Sequence, residues 1–78
     1  MTPEQLASLA SSLRDNEAFQ LALDNARNGA LERLATTEPT NTVAILANQA
    51  VVKVIDELRG DLEQFIRSGT PRKPAGIA

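Results

Sequence analysis

The densest group of reactive side chains in this sequence is Asp56, Glu57, Asp61 and Glu63. Carboxyls that share a cleft can act as a general acid and base pair, or they can hold a divalent cation. Both uses need the groups to converge, and the first also needs burial to push their pKa values apart. Here the four occupy the polar side of a helical pattern, beside Lys53, Arg59 and Arg67. Arg59 and Glu63, and Glu63 and Arg67, have the spacing of helical ion pairs, which contribute ~0.2–0.5 kcal/mol each. The group reads as a solvated helix face.

Ser8, Ser11 and Ser12 are the candidate nucleophiles. The chain has no histidine to activate them, and a Ser–Lys pairing would have to bring Lys53 or Lys73 close. They read as the wet face of a short helix. Gly29, Gly60, Gly69 and Gly76 are isolated, in neither a G-x-G-x-x-G nor a Walker setting, so no phosphate-cradling loop is encoded. With no His or Cys, a zinc site is excluded, and with no Cys so is a disulfide. We expect no catalytic residue, no cofactor and no metal, and hence no enzyme.

The sequence is instead rich in helix-period apolar residues. Val43, Leu46, Ala47, Ala50, Val51, Val54, Ile55, Leu58, Leu62, Phe65 and Ile66 recur at steps of three and four, the spacing of one helical face. A chain of 78 residues buries a modest fraction of its surface, and without disulfides or zinc its supports are helix packing and oligomerisation. No apolar run approaches the ~20 residues that span a bilayer, and Met1-Thr2-Pro3-Glu4 does not resemble a signal peptide. The expectation is a cytoplasmic protein with no membrane partner. Net charge is −2, with Arg72 and Lys73 giving the tail its basic character. An acidic body disfavours nucleic acid.

Caps and breakers place the elements. Thr2, Pro3 and Gln5 form a capping-box start, and Leu6, Leu9, Ala10 and Leu13 make a stripe, predicting a short helix over about 3–14. Asp15-Asn16 caps a second helix, about 16–37, with Phe19, Leu23, Ala26, Ala30 and Leu34 on its face. Asn28-Gly29 could break it, at a cost of about 1 kcal/mol for glycine in a continuous helix, but the apolar phase runs on beyond and we read the helix as unbroken. Pro39 ends that pattern, and Thr40 or Asn41 can cap a third helix. That helix should run over about 42–67, with Ser68-Gly69 as its stop.

The fold class is therefore all-α: an antiparallel helical hairpin with a short N-terminal helix in one domain, 1–69, and a disordered tail, 70–78. The expected hairpin register sets Ala26, Gly29 and Ala30 against Ala47 and Ala50, and brings Phe19 to Leu58 and Leu62. The first helix should fold across the open end, Leu6, Leu9 and Leu13 covering Phe19, Leu62 and Phe65. Gly60 reads either as a neutral surface position or as a point where another helix crosses closely. The tail reads either as a solvating end or as an arm that meets a partner through Arg72, Lys73 and Ile77.

Glu17-Ala18-Phe19 at a helix start, Ala30-Leu31-Glu32-Arg33-Leu34 before a Pro/Thr-rich turn, and Val54-Ile55-Asp56-Glu57-Leu58-Arg59 occur in that order. Over roughly 16–69 the chain resembles small helical-hairpin proteins encoded among the structural genes of tailed bacteriophages and prophages. The resemblance implies a role in virion assembly or as a minor virion component, in the host cytoplasm or on the particle. It implies as partner a portal, coat or other virion protein. The alternative class is a small host-directed regulatory or inhibitory binding protein. On either reading the interaction residues expected are Val51, Val54, Ile55, Leu58 and Leu62 of the third helix, with Arg72, Lys73 and Ile77 of the tail. The apolar arc of the third helix is wider than one partner helix can cover, so a homo-oligomer is also expected.

Overall fold

A computed structural model of the chain describes residues 1–69. Its elements are three α-helices: α1 (Pro3–Arg14), α2 (Glu17–Thr36) and α3 (Thr42–Gly69). The tail, with its expected disorder and partner-arm roles, lies outside the described residues.

Each helix start is explained by its cap. The Thr2 hydroxyl accepts from the Gln5 N–H at 3.1 Å, while Gln5 Oε1 accepts from the Thr2 N–H at 2.9 Å, satisfying two otherwise orphaned donors. Asn16 Oδ1 accepts from Phe19 N at 2.9 Å and starts α2 directly after α1 ends. Of the two residues that could cap α3, Asn41 does so, its Oδ1 accepting from Ala44 N at 3.2 Å. Gly29 lies within an unbroken α2. Both α2 and α3 depart slightly from expectation, α2 being one residue shorter at each end and α3 running two residues further.

The helices run as a hairpin in which α3 is antiparallel to both of the others. Arg33 pairs with Asn48, Arg27 with Asp56, Asp24 with Arg59 and Arg14 with Glu63, and Gly69 lies beside Pro3 and Ala7. The partner on α3 thus moves toward its C-terminus as the chain is read back toward its start. So α1 and α2 follow one another along α3, which at 1.5 Å per residue is about 42 Å long.

This corrects the expected placement of α1. It does not cap the open end with leucines; it lies along α3 with Ala7 and Ala10 buried, while Leu9 and Leu13 remain exposed. The reason is close approach. A β-carbon on Gly69 would overlap both the Pro3 carbonyl oxygen and the Ala7 methyl, and only small residues fit between backbones that near. The same contact extends the helix beyond Arg67, because Gly69 is held against α1.

The register against α2 is also shifted. Ala30 is fully buried as expected, but Ala26, Ala47 and Ala50 are exposed. Ala44, Ile45, Asn48, Val51, Val52 and Ile55 turn inward instead. The seam is closed by Ala7, Ala10, Ala30, Ile55 and Leu62. Gly60 has open space where a side chain would project, so within the described residues no helix crosses it.

Candidate interaction surface

The two sides of the helical seam differ in chemistry. On one, Arg27 Nε donates to Asp56 Oδ1 at 2.9 Å and Nη2 to Oδ2 at 3.3 Å, a two-pronged ion pair between α2 and α3. The shared hydrogen bonds hold the Asp56 carboxyl below its ordinary pKa and raise that of Arg27. Arg59 Nη2 donates to the Gln20 carbonyl at 3.4 Å, to Gln20 Oε1 at 3.3 Å and to the Asp24 carboxylate. Glu63 faces Arg14 at 3.9 Å. An open groove of about 560 Å³ lies on this side, lined by Leu31, Leu34, Gln49, Val52, Lys53, Asp56 and Glu57.

These ties replace the expected pairing of Arg59 and Glu63 with each other. Both reach across to α1 or α2, because the seam puts opposite charges beside them. The acidic group is therefore dispersed, and among the described residues no three His, Cys, Asp or Glu gather as a metal site would require. Two of the three candidate serine hydroxyls are likewise engaged locally. Ser12 Oγ donates to the Ser8 carbonyl at 3.1 Å, and Ser11 Oγ accepts from Arg14 at 3.4 Å.

The opposite flank is apolar and open. On α3, Val43, Ala47, Ala50, Val54, Leu58 and Phe65 fall within an arc of about 80° at ~100° per residue, with Leu46 at its outer margin. Val43 is 78% exposed, Leu46 64% and Val54 60%; Leu58 and Phe65 are more than one third exposed. Residues of α2 on the groove side include Asp24 and Leu31; across the buried Ala30 stripe, Ala22, Ala26 and Arg33 border the α3 arc, Arg33 donating to Asn48 at 2.7 Å. By the same geometry Leu9 and Leu13 of α1 flank its C-terminal part. From Val43 to Leu58 the centre of the stripe carries no charge; Asp61 interrupts it further on, and Glu57 lies at the outer margin by the groove.

The interaction residues expected from the sequence are divided by this arrangement. Val54 and Leu58 belong to the open flank. Ile55 and Leu62 do not, being buried in the seam, and Val51 is half-buried between the two. Arg72, Lys73 and Ile77 lie outside the described residues. Val43, Ala50 and Phe65 join the flank although they were absent from the expected set. The width of the α3 arc was the signal that pointed to them.

No protein-family model, curated protein or solved structure matches this chain. The surface is therefore read from its own chemistry. No helix among the described residues is long and apolar enough to cross a membrane, so the exposed leucines and valines do not form a membrane span. A stripe about 33 Å long, at 1.5 Å per residue from Val43 to Phe65, is suited to binding another helical surface.

Proposed function

We propose that this chain is a non-enzymatic protein–protein interaction protein of tailed-phage type, an assembly factor or minor structural component of the virion acting through helix–helix contacts. One observation carries the interaction part of the reading: the open stripe from Val43 to Phe65, exposed beside a seam already closed by Ile55 and Leu62. Apolar surface of that extent is stabilised by being covered, each fully buried Val or Leu contributing ~1.5–3 kcal/mol. The phage setting is supported by the sequence resemblance over 16–69, which makes a portal, coat or other virion protein the partner. In that setting the protein works in the host cytoplasm or on the particle.

Deleting the gene from its phage or prophage, and examining the lysate, tests the reading. Loss of infectious, DNA-filled particles, restored by the wild-type chain and not by Val54→Asp, is the expected result. Normal yields of such particles lacking the protein would overturn it in favour of a host-directed regulator.

A further inference from the structure

We infer that the apolar flank is covered by a second copy of this chain, the two α3 helices packing antiparallel about a two-fold axis that passes through Val54. The inference rests on the reading of this flank as the interaction surface, and it commits that surface first to self-pairing.

The area is sufficient. The stripe is about 33 Å long, and two packed helices make a face about 20 Å wide. That gives roughly 650 Å² per copy and about 1,300 Å² for the pair, within the range of specific interfaces.

The sequence of the stripe is complementary to its own reverse. A two-fold interface places residue i against j and j against i. With Val54 on the axis, Val43 meets Phe65 of the second copy, eleven residues to either side. Ala50 meets Leu58, four residues to either side, so a small side chain receives a large one. Asp61 falls opposite Ala47, seven residues from the axis and outside the uncharged centre of the stripe.

Charge agrees with this register. Two copies of net charge −2 meet on a face whose centre is neutral, which limits their repulsion. Lys53 and Glu57, one turn apart on the outer margin of the stripe, bracket Val54. The axis therefore brings each copy's Lys53 toward the other's Glu57, forming two symmetric pairs at the rim. Such pairs contribute more to register and specificity than to affinity.

Because the chain has no cysteine, a single introduced thiol reports on its own geometry. In the full chain, Val54→Cys should oxidise rapidly to a disulfide-linked dimer, since a residue on the axis faces itself. Asn28→Cys, exposed on the far side of α2, should not. Sedimentation should show a wild-type dimer at micromolar concentration. Val54→Asp should weaken that dimer at least about tenfold by placing a charge in an apolar contact, with helical content retained. Lys53→Glu should weaken it as well, and adding Glu57→Lys should restore it.

A wild-type monomer would overturn the inference, as would a dimer in which Val54→Cys links no faster than Asn28→Cys. Particle association reports separately on the proposed function. A monomer that still joins particles defeats only the self-pairing, whereas a dimer dispensable for particles defeats only the assembly role.

Discussion

Gly69, at the end of α3, lies against Ala7 of α1 with no room for a side chain between them. The contact joins the two ends of the described chain, and it depends on glycine for space, not for an unusual backbone conformation.

Gly69→Ala should therefore destabilise the protein. Alanine gains about 1 kcal/mol of helix propensity over glycine, but overpacking against the Pro3 carbonyl and the Ala7 methyl costs typically ~1–3 kcal/mol. Gly60 is the opposite case, exposed and with nothing near its missing β-carbon. Gly60→Ala should stabilise by up to about 1 kcal/mol, raising Tm by roughly 4–8 °C per kcal/mol in a domain this small. Thermal unfolding of the two variants should move in opposite directions. A rise in Tm for Gly69→Ala would show that α1 is not packed so closely.

Two leucines separate the seam from the outer surface. Leu62 is buried, and Leu62→Ala should cost ~2–5 kcal/mol through lost burial and the cavity left behind. Leu21, on the outer side of α2, is 60% exposed, and Leu21→Ala should change stability by no more than about 0.5 kcal/mol. Urea unfolding of both variants measures the contrast. Equal losses would mean that Leu21 is covered in solution, and that a second apolar face is occupied.

The helices were legible because their signals are local. Thr2 with Gln5, Asn16 and Asn41 mark starts through hydrogen bonds made within a few residues, and Pro39 marks a stop by restricting the backbone of the residue before it. The face that each helix buries was harder to read, because α3 is apolar on two adjoining arcs. Periodicity joins Val54 and Ile55 into one stripe, whereas packing assigns Ile55 to the seam and leaves Val54 open. The placement of α1 was hidden for a related reason. Its leucines carry the stronger hydrophobic signal, but its alanines permit the closer approach, and a pattern of hydrophobicity does not record how near two backbones come. The ties from Arg27 to Asp56 and from Arg59 to Asp24 join residues far apart in sequence, so spacing could suggest only partners on the same helix.

The Arg27–Asp56 pair gives the fold a pH dependence of definite sign. Its hydrogen bonds hold the Asp56 pKa below the ordinary value of 3.8, while Arg27 stays charged throughout. Where the folded carboxyl is deprotonated and the unfolded one is not, the unfolded state binds more protons, and stability rises with pH. The contribution of the pair is thus fully present above the unfolded pKa, and it is lost as pH falls through the lower, folded value. Wild-type Tm should fall on acidification from neutrality through that window. Asp56→Asn should be less stable than wild type at neutral pH and should lose less on acidification. Because both side chains are partly exposed, added salt should narrow the difference between them at neutral pH. Parallel Tm–pH curves for the two proteins would show that the pair forms no ion pair in solution.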